Sequence, residues 1–300
     1  MLAVYLYNPS DHDQKKANDY LLAIQEKHSR LAALKGSRIL FVGGSGVAFG
    51  TDAQNFGRNA FNLGLHAGLG LPFMVKEVMH LARKGDLIVV STEYFLDDGN
   101  KALLAYLLNQ VPETKSYLKL SFWDYAEMRW VVFQKTIHEI VKRIQMTIVE
   151  GKESVKSKDV NSLYNRTGFN QSGDYVNHLG KERPWGLFFR YPLEDRPYNA
   201  EIAVLNQLAE LERKGIRVVY LFPAYDEVEY EKYKLAISSF ESQLKKGLKF
   251  QVLGSPTDFI YPESDFYDTV YHLTAEGRKK RLEKLKQLLA EFLSNSDNPK

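Results

Sequence analysis

Short apolar runs alternate with helical patterns along most of the chain, and this alternation predicts the fold. The apolar runs that predict buried strands lie at 38–42, 60–64, 86–91, 216–222 and 250–253. Apolar residues spaced three or four apart predict helices at 13–35, 71–84, 101–110, 199–214, 228–247 and 275–294. Strands joined by helices pair in parallel. The pattern therefore predicts an α/β fold with a mostly parallel sheet between two helical layers, a three-layer α/β/α architecture.

The stretch from about 113 to 195 interrupts this alternation. Its first part predicts one long helix, because apolar residues recur every three or four positions, at Phe122, Ala126, Trp130, Phe133, Ile137, Val141, Ile144 and Ile148. The following residues, 151–185, are polar and irregular. We therefore predict an N-terminal segment and helix at 1–36 and an α/β domain at 37–300, which a helical and loop insertion interrupts.

Part of this insertion carries residue types that bind sugars. Turn formers, hydroxyls and aromatic rings are concentrated between Tyr164 and His178, and Trp185 lies nearby. Such a loop could stack on sugar rings and form hydrogen bonds with them. It could equally be a surface flap whose aromatic residues pack on the long helix. We expect Trp123 and Trp130 to take part in helix packing.

Composition and charge exclude several classes of protein. A net charge of +3 gives no concentrated basic excess, which argues against a nucleic-acid partner. The chain has no cysteine, which excludes disulfides, cysteine-based metal sites and cysteine nucleophiles. No apolar run is long enough to span a membrane. The apolar start, 1–9, is too short for a secretory signal and fits either the end of a trimmed anchor or a segment packed on the core.

A glycine-rich turn, Gly43-Gly44-Ser45-Gly46, follows the first predicted strand. Phe49 stands where a dinucleotide-binding turn has its third glycine, and Val47 stands at the last glycine of the G-x-S-x-G motif. The Gly-Lys-Ser/Thr triplet of a phosphate-binding loop does not occur near Gly50. Ser45 would instead present its hydroxyl at the sheet edge where α/β folds bind ligands, or serve only as a helix cap.

A second candidate cluster precedes the last predicted helix. A serine nucleophile needs a base, and that base needs an acceptor that fixes its tautomer. His272 lies in a predicted loop, and Asp268 is close enough in sequence to reach its imidazole. A packed or surface histidine remains the alternative. We expect Ser45 and His272 to lie within hydrogen-bonding reach of each other, loosely if the site is empty.

Together these segments resemble the SGNH (GDSL-type) hydrolase superfamily. The matching segments are Gly43-Gly44-Ser45 after the first strand, Asn62-Leu63-Gly64 after the second, and Asp268 with His272-Leu-Thr-Ala-Glu-Gly near the C-terminus. The resemblance covers about 38–95 and 216–294. It implies a flavodoxin-like three-layer fold for these parts of the chain.

The resemblance also implies a role for each matching residue. Ser45 would be the nucleophile and the first oxyanion donor, and the Gly64 N–H would be the second donor. His272 would be the base, and Asp268 the carboxylate that orients it. Members of the superfamily use no metal or organic cofactor. They hydrolyse esters or transfer acyl groups, and many act on lipids or cell-envelope polysaccharides.

Two departures from the family pattern affect this assignment. The family's third block, Gly-x-Asn-Asp, supplies a third oxyanion donor, but here the third strand runs into Thr92-Glu93-Tyr94. Losing one such donor costs on the order of 10²–10³ in rate. A substitute donor could be found among Ser91, Thr92, Asn59 and Asn62. The acid also precedes the histidine by four residues instead of three, so Asp265 is a rival for the orienting role.

A carboxylate at Glu93 would repel an oxyanion unless it turned away or found a partner. We include Asn62, Glu93 and Tyr94 as candidate substrate-binding residues. With these two departures, the sequence resembles the envelope-associated SGNH-like proteins that accompany acyl-transfer machinery. This resemblance implies an extracytoplasmic location, in the periplasm or at the cell surface, with a cytoplasmic location left open.

The sequence thus predicts a serine esterase or O-acyltransferase acting on an acylated carbohydrate or another ester of the cell envelope. The alternative is a catalytically impaired SGNH-like envelope protein that binds or scaffolds. Nothing in the sequence indicates the oligomeric state.

Overall fold

The computed structural model describes residues 13–95, 98–118, 120–150, 164–184 and 189–296. The start at 1–9 and Trp185, for which the sequence left alternatives open, lie outside these described residues. Seven strands occur in them: β1 Ile39–Val42, β2 Ala60–Asn62, β3 Leu87–Val90, β4 Arg217–Leu221, β5 Tyr225–Asp226, β6 Gln251–Leu253 and β7 Ile260–Tyr261.

Five of these strands form one parallel sheet in the order β2-β1-β3-β4-β6. Every residue of β3 is buried, and Leu87 and Val90 lie opposite Ile39 and Val42 of β1. Strands covered on both faces are apolar throughout, which explains why short apolar runs predicted them. The predicted parallel sheet is confirmed. The small strands β5 and β7 pair separately, also in parallel.

The described residues also form ten α-helices: α1 Asp13–Ala33, α2 Ser45–Gly50, α3 Ala53–Phe56, α4 Leu71–Leu81, α5 Lys101–Gln110, α6 Lys115–Leu118, α7 Phe122–Glu150, α8 Asn199–Leu205, α9 Glu227–Gly247 and α10 Ala275–Ser296. Helix α10 contacts α2 and α3, whereas α8 contacts α4 and α9. With right-handed crossovers, this strand order puts the two groups on opposite faces of the sheet. The architecture is three-layer α/β/α, as predicted.

The long helix predicted inside the insertion is present as α7, which lies against α5. Its Met128 is buried, but Trp123 is 77% exposed and Trp130 is 58% exposed. Our expectation that both tryptophans pack is therefore wrong for the described residues. Within those residues, no helix combines the length and the apolar character that a membrane crossing requires. The division of the chain at residue 36 and the limits of the insertion remain predictions.

Candidate active site

Ser45 begins α2 directly after β1, at the carboxyl edge of the parallel sheet where α/β folds bind ligands. The residue is partly exposed, and the rest of α2 behind it is buried. Gly44 holds the position just before the helix and supplies no side-chain cap. The alternative role of Ser45 as a helix cap is therefore wrong, which leaves its hydroxyl available for chemistry.

His272 and Asp268 form a buried pair in the loop before α10. The His272 Nδ1–H donates to Asp268 Oδ1 over 2.8 Å, and both residues are 5% exposed. The backbone N–H of His272 also donates to the Thr269 hydroxyl at 3.1 Å, which ties the turn between the two residues. This arrangement fixes the tautomer and leaves Nε2 as the nitrogen that can accept a proton.

The second oxygen of Asp268 is also engaged, because the Tyr164 hydroxyl donates to Oδ2. Burial acts to raise the pKa of Asp268. The His272 imidazole and the hydrogen bonds from His272 and Tyr164 outweigh burial, so the pKa lies below its usual value. Asp268 therefore remains a carboxylate next to the imidazole. The rival Asp265 forms an ion pair with Lys280 at 2.8 Å, so its carboxylate is engaged elsewhere.

Phe49 connects the nucleophile helix to the histidine. Ser45 and Phe49 are four residues apart on α2, so they share one face of the helix. The Phe49 ring stacks on His272, with centroids 4.0 Å apart and planes inclined by 12°. The imidazole thus lies against a residue one helical turn from Ser45 on the same face of α2. Within the described residues, however, no hydrogen bond joins the Ser45 hydroxyl to His272.

Glu93 turns towards the serine turn and is 2% exposed. Its Oε1 accepts the Gly46 N–H at 2.7 Å. A Cβ on Gly44 would lie 2.5 Å from Glu93 Oε2, and one on Gly46 would lie 3.2 Å from Oε1. The glycines on either side of Ser45 therefore make room for this carboxyl. Burial raises the pKa of Glu93, although the N–H groups of Gly46 and Gly44 and the His272 imidazole act in the opposite direction.

The structure contradicts the predicted roles of Gly64 and Asn62. The Gly64 N–H donates to Asn62 Oδ1 at 2.8 Å, so it is not available to an oxyanion. The Asn62 amide is fully buried and donates to the Val47 carbonyl at 2.9 Å and to Asp174 Oδ1 at 3.0 Å. Asn62 therefore holds α2 and the insertion together and cannot contact substrate.

The loop after β2 instead brings Ala67 to the serine turn. A Cβ on Gly44 would lie 2.8 Å from the Ala67 Cα. Neither the Ser45 N–H nor the Ala67 N–H makes a hydrogen bond within the part of the chain that the structure describes. Ala67 is thus a better candidate than Gly64 for the second oxyanion donor.

Tyr94 also does not fit its predicted role in substrate binding. Its ring is buried and meets the rings of Tyr225 and Phe240 edge to face, at centroid distances of 5.2 and 5.3 Å. The Tyr94 backbone N–H donates to the Tyr271 hydroxyl at 3.3 Å. Tyr94 therefore packs in the core behind the site.

The polar residues considered as substitute donors are engaged elsewhere. Ser91 accepts a hydrogen bond from Arg281 at 3.1 Å, and the Thr92 hydroxyl is paired with Tyr220 at 2.9 Å. Asn59 is exposed and donates to backbone carbonyls before β1. None of these three, nor Asn62, supplies a third donor at the serine turn.

The described part of the insertion packs behind the site. Asp174, Tyr175 and His178 are buried, and the rings of Tyr175 and His178 lie 4.5 and 4.7 Å from that of Phe49. These aromatic residues therefore pack on α2 and not on α7. The rings of Tyr175 and His178 are therefore not open to a sugar.

His66 is a candidate site residue that the sequence interpretation missed. It precedes Ala67, and its ring is open to solvent. Desolvation by the surrounding protein, with a smaller effect of His272, lowers the pKa of His66 to about 4. The effect of His272 places the His66 ring near the Asp268–His272 pair. The position of His66 just after a parallel strand was the signal available in the sequence.

No protein-family model matches the chain, and a search of curated proteins finds no match. Among solved structures, an acetyl xylan esterase from the rumen bacterium Butyrivibrio proteoclasticus is similar, with a TM-score of 0.34 and 8% sequence identity. The similarity covers 87% of this chain, which spans 65% of the length of that structure. A likeness at this level carries no argument about function, which rests on the geometry of the site.

We expect Gly44→Ala to lower the free energy of unfolding by about 1–3 kcal/mol, because the new methyl group would overlap Glu93 and the backbone of Ala67. Denaturant unfolding measures the change. Gly57→Ala is the matched control, because a Cβ there meets nothing within 4 Å, and its effect should stay within about 0.5 kcal/mol. Equal stability of the two variants would contradict the described packing of Glu93 on the serine turn.

Proposed function

We propose that this protein is a serine esterase or O-acyltransferase of the SGNH type, with Ser45 as nucleophile, His272 as base and Asp268 as orienting carboxylate. One observation carries the proposal. The imidazole of His272, which is paired with Asp268, stacks on the ring of Phe49. Phe49 lies on the same face of α2 as Ser45, the first residue of that helix. The order of these residues along the chain, with the nucleophile early and the acid and base late, supports it.

The first half of the proposed reaction acylates the serine. The Ser45 Oγ attacks the acyl carbonyl carbon while His272 Nε2 takes the hydroxyl proton. The carbonyl electron pair moves to oxygen, and the N–H groups of Ser45 and Ala67 stabilise this oxyanion. As the tetrahedral intermediate collapses, the bond to the alcohol oxygen breaks. His272 then returns the proton to the leaving alcohol.

The second half releases the acyl group. Water or a sugar hydroxyl gives its proton to His272 Nε2 and attacks the acyl-enzyme carbonyl. Collapse of this second intermediate breaks the bond to Ser45 Oγ, which recovers the proton from His272. Water gives hydrolysis, whereas a sugar hydroxyl gives transfer, and both use the same residues.

We infer that the substrate is an acylated carbohydrate or another ester of the cell envelope, and that the protein acts outside the cytoplasm. Tyr191 and Phe95 support the inferred carbohydrate substrate. Their ring centroids stack at 4.3 Å, and the Phe95 ring also contacts the ring of Tyr271. Tyr191 is exposed, and the charges of Glu93 and Asp268 add to burial in raising its pKa, which puts it near the site. An exposed aromatic ring near Glu93 and Asp268 suits stacking on a sugar.

A fluorophosphonate probe tests the proposed function. The probe phosphonylates an activated serine and expels fluoride, so mass spectrometry should find one adduct on the peptide that contains Ser45. Ser45→Ala should abolish the adduct at unchanged thermal stability. Ser116→Ala, which removes an exposed hydroxyl on α6, should leave labelling intact.

The second candidate function is a binding or scaffolding protein that keeps the fold without catalysis. Two observations favour it: Ser45 and His272 are not hydrogen-bonded, and an acidic residue stands where the family has an asparagine donor. An ionised Glu93 would oppose an oxyanion. Absence of the adduct on Ser45 at neutral pH would select this second function.

A further inference from the structure

The carboxyl of Glu93 lies where the family pattern has the asparagine that donates to the oxyanion. Its Oε1 accepts the Gly46 N–H, whereas Oε2 is buried and has no hydrogen-bond partner among the described residues. A buried carboxylate oxygen without a donor is strongly unfavourable, but a protonated oxygen in the same place is a hydrogen-bond donor. Oε2 also lies against Gly44, next to the backbone of Ala67.

The groups that face Glu93 offset only part of the effect of its burial. Four of them are hydroxyls of tyrosines from α1, β4 and the loops around the site: Tyr20, Tyr191, Tyr220 and Tyr271. Arg281 of α10 is a buried cation that attracts the charge of Glu93, but within the described residues its guanidinium gives a hydrogen bond to Ser91 and none to Glu93. His272 also faces Glu93 but donates to Asp268. Burial raises the pKa of Glu93 and thus favours the neutral acid.

We propose that Glu93 acts as a protonated carboxylic acid whose Oε2–H donates the third hydrogen bond to the oxyanion. This inference rests on the proposed function and adds a catalytic residue to it. The neutral acid takes the place of the missing asparagine amide, because both present one acceptor to the serine turn and one donor to the reacting oxygen. No proton leaves Glu93 during the reaction.

Two ionisations, of His272 and of Glu93, should shape the pH profile of the activity. His272 must be neutral to act as base, so activity falls at acidic pH. Glu93 must be neutral to act as donor, and a group with a raised pKa is neutral below that value. Activity therefore also falls as the pH rises through the pKa of Glu93. Glutamine at this position donates at every pH, so Glu93→Gln should remove the alkaline limit.

Substitutions of Glu93 test the inference through hydrolysis of a chromogenic acetyl ester. Glu93→Ala should lower kcat by about 10²–10³-fold, the usual effect of losing one oxyanion donor. Glu93→Gln should keep kcat within about tenfold of wild type, because the amide restores a neutral donor. Glu77→Ala, at another buried glutamate on α4, should leave kcat unchanged. Equal loss in Glu93→Gln and Glu93→Ala would overturn the inference.

An infrared difference spectrum of wild type against Glu93→Gln provides a readout that needs no turnover. A protonated-carboxyl band at neutral pH supports the inference, and carboxylate bands alone overturn it. The labelling of Ser45 separates the two failures. If Ser45 is labelled neither in the wild-type protein nor in Glu93→Gln, the proposed function is wrong and this inference is wrong with it. If Ser45 is labelled but the spectrum shows a carboxylate, only the inference fails.

Discussion

Asp268→Asn is expected to lower kcat for ester hydrolysis by about 10⁴-fold, as the loss of an orienting carboxylate does in other serine enzymes. Asp268 is a buried carboxylate that holds the His272 Nδ1–H at 2.8 Å. An amide can donate to Nδ1 and so favours the wrong tautomer, in which Nε2 carries the hydrogen. Steady-state kinetics on an acetyl ester measures the loss.

Asp265→Asn is the matched control for this prediction. Asp265 was the rival acid in the sequence, but its carboxylate pairs with Lys280, which is largely exposed. We expect the kcat of the Asp265→Asn variant to stay within a few-fold of the wild-type value. If Asp265→Asn loses as much activity as Asp268→Asn, the assignment of the orienting carboxylate is wrong.

Asp174→Ala is expected to have the largest effect on stability, lowering the free energy of unfolding by about 3–5 kcal/mol. The carboxylate of Asp174 is fully buried and accepts hydrogen bonds from the Ala53 N–H and Gln54 N–H. It also accepts from the amides of Asn62 and Asn170, at 3.0 and 3.2 Å. The substitution would leave the buried Ala53 N–H without its acceptor and would remove the carboxylate that lies 3.8 Å from the buried guanidinium of Arg278.

Denaturant unfolding measures this loss, and Asp52→Ala is its control. Asp52 is half-buried, caps α3 by accepting the Asn55 N–H and lies 3.7 Å from Arg278, so its loss should cost only about 1–2 kcal/mol. Because Asp174 joins the insertion to the start of α3, Asp174→Ala should also slow labelling of Ser45. A stability change in Asp174→Ala no larger than in Asp52→Ala would show that this network contributes little.

The sheet and the Asp268–His272 contact were predictable for different physical reasons. Strands such as β3 are covered on both faces, so their residues are uniformly apolar and stand out from the helices. Asp268 and His272 lie in one loop, and a contact over four residues depends mainly on local geometry. Both signals are short in range along the chain.

The failed predictions depend on distant partners. The side-chain amide of Asn62 donates to Asp174, which lies 112 residues further along the chain. This contact orients Asn62 Oδ1 so that it accepts the Gly64 N–H, which is then not available to a ligand. Tyr94 follows β3, but the aromatic rings that bury it come from β5 and α9. The direction of a side chain at a strand end depends on such packing, which the local pattern does not encode.

Glu93 shows the same limit at the centre of the site. The sequence left two outcomes for its carboxyl, turned away or paired with a neighbour. The structure turns it towards the Gly46 N–H and leaves Oε2 without a partner. The glycines at 44 and 46 accommodate this carboxyl.

A crystal structure of the fluorophosphonate-treated protein tests most directly whether Ser45 and His272 act as one site. We expect phosphonate on Ser45 Oγ and His272 Nε2 within about 2.6–3.2 Å of an oxygen bonded to the phosphorus. A phosphonyl oxygen should face the N–H groups of Ser45 and Ala67. Phosphonate on another residue, or an imidazole turned away from a phosphonylated Ser45, would show that the two residues do not form one site.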